Sequence, residues 1–358
     1  MVWKKRRVGL LEKHPQPADV LPFSVKGRIG RVENPPAAAF AKRFIQKNRP
    51  IIITGAMDDW RACRAWDVAY LRERAGSQEG EVIVSTNGLY PDYLSQPEPM
   101  TKIQLSFGEF LDRASDTGRF PPLVAAGETY YIYGKPYLFE AVPGLAEDTP
   151  IPAPLGAVKV SSTNLWVSSS GCTTPLHYDL TNGLLCQVRG KKQVYLFAPD
   201  QADHLYQRGR FFPGMDNFER QSQIDIHHPD FEKYPRFKQV QAWECTLHPG
   251  EMLFIPSNWF HEVETLAFSI SVGFCFAGGT ATSEFAGMAD AFKSAVGEKA
   301  APDGNGFPAT EAMEALERQL AQNPELLTSL LQSPQMERLL KDPNLLRDLE
   351  KLMGGGKG

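Results

Sequence analysis

Residues 174–197 read TPLHYDLTNGLLCQVRGKKQVYLF, and this stretch contains the chemical pattern that decides the fold. In an extended strand, side chains two residues apart point to the same side. We therefore expect His177 and Asp179 to aim an imidazole and a carboxylate at one spot, while Tyr178 faces away. Two ligands on one strand leave a metal ion under-coordinated, so a third must come from another part of the chain.

The best candidate for this third ligand is His261, within GEMLFIPSNWFHEV at residues 250–263. Two histidines and a carboxylate on one face of a metal, with the opposite positions open, suit a non-haem Fe(II) oxygenase. An H-x-D motif alone is common, and its histidine is more often a satisfied core or surface residue. Lys192 supports the metal interpretation, because a buried ammonium must find an anionic partner or lose its proton. A substrate carboxylate would be such a partner.

Composition narrows the class of protein. The chain has 358 residues, a net charge of -4 and 42% hydrophobic residues, which indicates one large globular domain plus an appendage. The slightly acidic balance argues against a general nucleic-acid binder. Five cysteines without a C-x-x-C pair favour a reducing intracellular setting. Residues 1–13 lack a sustained apolar stretch, so we expect no signal peptide, no membrane anchor and a cytoplasmic location.

Short apolar runs separated by glycine and proline predict the architecture. In the first third of the chain we expect helices at 36–47, 68–74 and within 101–114, and strands at 51–54 and 81–85. From residue 129 onwards the pattern is mainly β, with a long segment rich in Pro, Asp and Phe between residues 199 and 243. Many short strands with such turns suggest a jelly-roll barrel of the cupin type, mainly β with flanking helices.

The predicted organisation has three parts. Residues 1–278 form the barrel domain with an N-terminal elaboration of helices and strands, 279–308 form a helix and linker, and 309–353 form a C-terminal helical region. In this last part leucines recur at helical spacing and prolines separate short helices. Such a stripe is more often packing than chemistry, and we expect it to serve dimerisation or partner binding.

The segment from His177 to Phe276 resembles the JmjC family of cupin-fold 2-oxoglutarate oxygenases. It is most similar to the branch that contains the asparaginyl hydroxylase of hypoxia-inducible factor and the tRNA wybutosine hydroxylase. The similar pieces occur in the same order over residues 40–278: RPIIITGAMDDWRACRAW, HYD, QVRGKKQVYLFAPD, SQIDIHHPDFEKYPRF, WECTLHPGEMLFIPSNWFHEV and SISVGFCF. The resemblance implies a double-stranded β-helix, with Fe(II) as cofactor, 2-oxoglutarate as cosubstrate and O2 as oxidant.

The resemblance also assigns the contacts of the cosubstrate. Lys192 would pair with the distal carboxylate of 2-oxoglutarate, although a lysine extending to solvent is the alternative. Thr174, three residues before His177, would contact the same carboxylate. Tyr131 would be the third contact. Core packing is an equal alternative for the tyrosines, and two neighbours could substitute: Tyr130 and Tyr133.

The chain departs from the resemblance at two positions. The asparaginyl hydroxylase has amide side chains near the metal-bound carboxylate, and the corresponding residues here are Gly183 and Gly273. Asn182 adjoins the first, but strand parity turns its side chain to the opposite side unless a bulge intervenes. We therefore expect the inner carboxylate of 2-oxoglutarate to be held differently.

The other histidines and cysteines have weaker claims. His227 and His228 are expected in a polar surface loop. Cys172, Cys186 and Cys275 are expected to act as small apolar core residues rather than ligands.

The resemblance implies a hydroxylase that acts on a protein or peptide side chain. Hydroxylation of a modified tRNA base is the alternative within the enzyme class, and the acidic balance weighs mildly against it. Lysine demethylation is less favoured, because the sequence shows no chromatin-reading zinc cluster. A non-catalytic cupin-fold binding protein is the alternative from another class.

Overall fold

A computed structural model describes residues 21–85, 88–89, 100–115, 129–132, 137–207 and 220–276. The predicted linker at 279–308 and the predicted helical region at 309–353 lie outside these residues. The boundaries of these two parts and the dimerisation role therefore stay predictions. The cytoplasmic location also stays a prediction. Among the helices that the structure describes, none has the length and apolar character needed to cross a membrane.

The described residues form a mainly β structure with short helices. The strands are β1 Ser24–Arg28, β2 Arg31–Glu33, β3 Ile51–Thr54, β4 Glu79–Ser85, β5 Met100–Ser106, β6 Thr129–Ile132, β7 Val160–Ser168, β8 Thr173–Tyr178, β9 Asn182–Arg189, β10 Lys192–Phe197, β11 Gln241–Leu247, β12 Met252–Ile255, β13 Phe260–Thr265 and β14 Ser269–Phe276. The α-helices are α1 Ala37–Phe40, α2 Arg61–Ala65, α3 Val68–Ala75, α4 Phe107–Ala114, α5 Tyr137–Ala141 and α6 Pro143–Glu147.

The strands are arranged in two sheets. The smaller sheet has the order β1-β11-β10-β13-β8, and the larger has the order β2-β3-β12-β9-β14-β7-β6-β4-β5. The β1–β11 and β2–β3 pairs are parallel. The neighbours that carry the candidate site, β8, β13 and β10, are antiparallel. The prediction of a cupin-type jelly-roll barrel is confirmed.

Alternation along the strands divides the core into an inner and two outer layers. On β10, Val194 and Leu196 join an apolar cluster that contains residues of both sheets and so lies between them. Tyr195 and Phe197 point the other way, into a cluster with segment 224–240. On the larger sheet, the outward residues pack against the helices, as Phe254 does against Phe40 with ring centroids 5.1 Å apart.

The predicted elements of the first third are found with small shifts in their bounds. The helix expected at 36–47 is α1, and it continues as a π-helical turn at Ala41–Ile45. The helix within 101–114 is α4, and Ser106 is its N-cap, because the Ser106 Oγ accepts a hydrogen bond from the Glu109 N–H at 3.2 Å. The strands predicted at 51–54 and 81–85 are β3 and β4.

The long segment after β10 covers the outer face of the smaller sheet. Its described parts include 3-10 helices at Pro199–His204 and Pro235–Gln239. Ile224, Ile226 and Phe237 are almost fully buried in the outer cluster. Residues 208–219 lie outside the described part, and the described residues on either side of them pack on the barrel.

Candidate metal centre

The candidate centre lies where β8 and β13 run side by side. His177 and His261 are directly opposite each other in this antiparallel pair. Opposite side chains on antiparallel strands are close neighbours, and here the imidazole centroids are 4.2 Å apart. Asp179 follows the end of β8, and its carbonyl oxygen accepts a hydrogen bond from the Asn258 N–H at 2.8 Å. Asn258 has a φ of 64°, so a tight turn ties the loop before β13 to Asp179.

The three side chains present their donor atoms to one point. One ligand atom of each of His177, Asp179 and His261 lies within 4.8 Å of the other two. The Nδ1 atom of His177 is 2.8 Å from the Pro175 carbonyl oxygen, and that of His261 is 3.0 Å from the Trp259 carbonyl oxygen. Since a carbonyl can only accept, each Nδ1 carries the proton and each Nε2 is free to bind a cation. Two imidazoles and one carboxylate fit a metal ion such as Fe(II).

The electrostatics favour the protonation states that metal ligands need. Burial, together with the charge on His261, lowers the pKa of His177 to about 4, so its imidazole is neutral at pH 7. Burial acts to raise the pKa of Asp179, but the neighbouring imidazoles of His177 and His261 and the guanidinium of Arg220 outweigh this effect and lower it. Arg220 Nη1 lies 3.3 Å from Asp179 Oδ1, while Oδ2 lies 3.8 Å from His261 Nε2. The sequence analysis did not identify Arg220.

Lys192 lies on the same inner face as the histidines. On the β10–β13 pair, Leu196 is opposite His261 and Lys192 is opposite Thr265, so Lys192 is displaced from His261 by four residues, about 13 Å along the strand. The residue is 3% exposed, which rules out a head group in bulk water. Within the described part of the chain its ammonium makes no hydrogen bond or ion pair. Burial lowers the pKa of Lys192 to about 8.

A bulge in β8 explains why Thr174 can share a face with His177 although the two are three residues apart. His261 is opposite His177, but Val263, two residues further on, is opposite Thr174. The extra residue of β8 in this interval reverses the alternation, so Thr174 lies on the same face as Val263, which belongs to the inner cluster. Thr174 is half-buried there.

The tyrosine contact stays a prediction. The backbone of Tyr131 lies in β6, opposite Ile83 on one side and Ser168 on the other. The side chains of Tyr130 and Tyr131, and all of Tyr133, lie outside the part that the structure describes.

The two glycines differ in the space around them. Among the described residues, a Cβ atom on Gly183 would have only the Ile255 carbonyl oxygen nearby, at 3.9 Å, so that they leave this position open. A Cβ atom on Gly273 would lie 2.8 Å from Trp166 Nε1, so an indole occupies the place of a side chain there. Asn164 is directly opposite Gly273. The sequence analysis missed both of these residues of β7.

Asn182 does not reach the centre. Its side chain is 1% exposed, and its Oδ1 accepts a hydrogen bond from the Ser257 N–H at 3.0 Å. This bond holds the loop that precedes β13, next to the Asn258 bond to Asp179. Asn182 therefore holds the loop that precedes His261. Its side chain points away from the centre, as strand parity predicted.

The expectation for His227 was wrong. Its side chain is 31% exposed, and Nε2 lies 2.5 Å from Glu264 Oε1, because the polar segment around it packs against β13. His228 is 86% exposed, as expected of a surface residue. Cys172 and Cys186 are buried, as predicted, whereas Cys275 is only half-buried.

Comparisons with known proteins identify the family. The sequence profile described as "Cupin-like domain" matches residues 36–280. The chain belongs to this family. The tRNA wybutosine-synthesizing protein 5 of Danio rerio is 32% identical over 72% of this chain and 74% of its own length.

Two further relatives carry demethylase names. Lysine-specific demethylase 8 of Xenopus tropicalis is 29% identical over 69% of this chain, and lysine-specific demethylase JMJ30 of Arabidopsis thaliana is 31% identical over 66%. The chain spans about half the length of these two, 52% and 51% respectively. The predicted membership of the JmjC-type, cupin-like oxygenases is confirmed.

Proposed function

We propose that the protein is an Fe(II)- and 2-oxoglutarate-dependent dioxygenase that hydroxylates a protein or peptide side chain. One observation carries the proposal: a His–Asp–His cluster and a buried lysine share the inner face of adjacent strands. The cluster alone would fit several metals. The lysine adds a cationic site for a dicarboxylate that reaches the metal with its other end.

In this proposal His177, Asp179 and His261 hold Fe(II). When bound, Fe(II) with 2-oxoglutarate supplies the activation of O2 that hydroxylation requires. The protein positions the ligands and excludes water. The carbonyl oxygens that accept from each Nδ1–H fix the two rings, and Arg220 contacts the carboxylate of Asp179 and adds to the groups that favour its ionised form.

Lys192 binds the distal carboxylate of 2-oxoglutarate, with Thr174 and Tyr131 as further contacts. An ammonium that is 3% exposed and unpaired among the described residues gains more from an anion than an exposed one, because the low dielectric strengthens their attraction. This ion pair also accounts for the presence of a lysine on the inner face beside the apolar Val194 and Leu196.

The inner carboxylate must be held without amides at Gly183 and Gly273. Asn164, opposite Gly273, offers an amide on the same face, and its Nδ2 donates to Ser162 Oγ at 3.2 Å. We propose that Asn164 replaces one of the missing amides. The free space beside Gly183 gives the substrate room to approach.

Hydroxylation of a modified tRNA base is the second candidate. It is favoured by the relative named tRNA wybutosine-synthesizing protein 5, of which this chain covers 74%. Such an activity predicts tRNA binding that weakens steeply with salt, because phosphate contacts release counterions. The demethylase-named relatives support lysine demethylation less strongly, since the chain covers about half of each. A non-catalytic binding protein would leave unexplained why the buried Lys192 ammonium has no partner among the described residues.

The test compares oxygen incorporation by the parent protein and by Asp179→Ala. Both are incubated with Fe(II), 2-oxoglutarate and either a cell protein extract or total tRNA. A gain of one oxygen on a peptide, present only with the parent protein, supports the first proposal, and a gain on a nucleoside supports the second. Iron-dependent succinate production that is equal for parent and variant would contradict both.

A further inference from the structure

A second cluster of metal-binding side chains lies on the back of the strand that carries His261. Because side chains alternate along β13, His261 points inward while Glu262 and Glu264 point outward. The segment that covers this face brings His227 Nε2 to 2.5 Å from Glu264 Oε1 and 3.2 Å from Glu262 Oε1. The three ligand atoms lie within 4.8 Å of one another.

The cluster is partly buried and unites one imidazole with two carboxylates. The side chain of Glu262 is 5% exposed and that of Glu264 is 23% exposed. In the described part of the chain neither glutamate forms an ion pair with a lysine or arginine. Although burial opposes it, the two carboxylates raise the pKa of His227 to about 10, and burial raises the pKa of Glu262 to about 7. Near neutral pH the cluster therefore holds protons, and a cation that binds there displaces them.

The Nε2 atom of His227 lies off the line of a hydrogen bond to either glutamate. It is buried and has no hydrogen-bond partner, although both carboxylate oxygens are close. The oxygens therefore lie beside the axis along which an N–H would point. A cation bound to Nε2 would lie on that axis, and Glu264 Oε1 would move outward from its 2.5 Å contact to join it as a ligand.

A backbone contact prepares one of the carboxylates. Glu262 Oε2 accepts a hydrogen bond from the Leu176 N–H at 3.1 Å, which leaves Oε1 for His227 or a cation. The ring of Tyr195 packs edge-on against the imidazole of His227, with centroids 5.6 Å apart, and covers one side of the cluster. Both contacts hold the donor atoms in place without occupying the point between them.

We propose that His227, Glu262 and Glu264 form a second metal site, for a divalent transition cation such as Zn²⁺. One imidazole and two carboxylates are ligands that Zn²⁺ accepts, and a water molecule can complete a tetrahedral shell. The cation neutralises the buried glutamates. It also fastens the covering segment to β13 and, through the Leu176 bond, to β8, the two strands that bear His177 and His261. The site thus restrains, from their outer face, the two strands that carry the first metal centre.

The experiment isolates this site by removing the first one. The full-length His177→Ala protein is titrated with Zn²⁺ by calorimetry and with Co²⁺ by visible absorption. The parent protein should bind two equivalents and the variant one. Adding Glu264→Gln or His227→Ala should abolish the remaining equivalent. Adding His228→Ala should not, because that neighbouring imidazole is 86% exposed and pairs only with Asp225 among the described residues.

Thermal unfolding provides a readout that does not depend on stoichiometry. Zn²⁺ should raise the Tm of His177→Ala and leave that of His177→Ala/Glu264→Gln unchanged, since a cation stabilises only the state that binds it. Glu264 is the more exposed glutamate, so its substitution is expected to leave the fold intact. No Zn²⁺ binding by His177→Ala, or binding that survives both Glu264→Gln and His227→Ala, would overturn the proposal. An absence of 2-oxoglutarate turnover in the parent would not affect these titrations.

Discussion

Replacing Lys192 by methionine should have opposite effects on the stability of the empty protein and on cosubstrate binding. Methionine keeps the length and apolar volume of the side chain but removes its charge. In the empty protein the ammonium is buried without a partner among the described residues. With 2-oxoglutarate bound, the proposed function gives it one. The same substitution should therefore stabilise the first state and weaken the second.

The size of the stability effect follows from the pKa. Burial lowers the pKa of Lys192 from its ordinary value of 10.5 to about 8, and such a shift corresponds to about 3 kcal/mol. Because the unfolded chain binds the proton more tightly, the folded protein loses stability as the pH falls from 10.5 towards 8. Below pH 8 the penalty is constant. Lys192→Met should thus be up to about 3 kcal/mol more stable at pH 7, and the gain should disappear above pH 10.5.

The effect on binding has the other sign. Removing one partner of a buried, hydrogen-bonded charge pair costs about 2–5 kcal/mol, which raises the KM for 2-oxoglutarate about 30-fold to about 4,000-fold. Urea unfolding at pH 7 and pH 10.5 measures the first effect, and succinate release against 2-oxoglutarate concentration measures the second. Lys191→Met is the matched control, because its side chain is exposed and should change neither quantity.

The reasoning would be refuted by a variant that is less stable at pH 7 and binds 2-oxoglutarate like the parent. Lys192 would then have a partner that stabilises the fold, and its burial would carry no information about an anionic ligand.

Four further substitutions test the supports of the site. Arg220→Gln removes the 3.3 Å contact with Asp179 Oδ1 and should weaken Fe(II) affinity about 10-fold or more in a metal titration; affinity equal to that of the parent would exclude Arg220 as a support. Gly273→Ala places a Cβ atom 2.8 Å from Trp166 Nε1 and should lower the free energy of urea unfolding by about 1–3 kcal/mol. Gly183→Ala meets no such contact among the described residues and should leave this free energy unchanged. Equal losses of stability in the two variants would contradict the geometry. Asn182→Ala leaves the buried Ser257 N–H without its acceptor and should cost about 1–3 kcal/mol, with a smaller loss indicating that another group or water replaces the amide.

The residues that sequence could identify are those whose roles follow from local spacing. His177 and Asp179 are two apart at the end of one strand, and His261 follows a turn, so the strand period and the ligand chemistry were enough to group them. Lys192 was identified because a lysine that opens an apolar strand needs an explanation. The strand period also predicted that Asn182 turns away from the centre.

The residues that sequence could not identify depend on long-range packing. Arg220 meets Asp179 from 41 positions away, in a segment without a periodic pattern. Trp166 lies over Gly273 because β7 pairs with β14, and the register of this pair cannot be read from the sequence. His227 was assigned to the surface because its segment is polar, yet Ile224 and Ile226 just before it are buried and draw it onto the sheet. The β8 bulge, which brings Thr174 to the inner face, cannot be predicted from residue spacing either.

The most direct test of the central claim is an anaerobic titration of the parent protein with Fe(II) in the presence of 2-oxoglutarate. The visible charge-transfer band of an iron-chelated 2-oxo acid reports the cofactor and cosubstrate together. We predict that the band saturates at one equivalent of iron in the parent and is absent in His177→Ala. Absence of the band in the parent, or an equal band in the variant, would contradict the assignment of the centre.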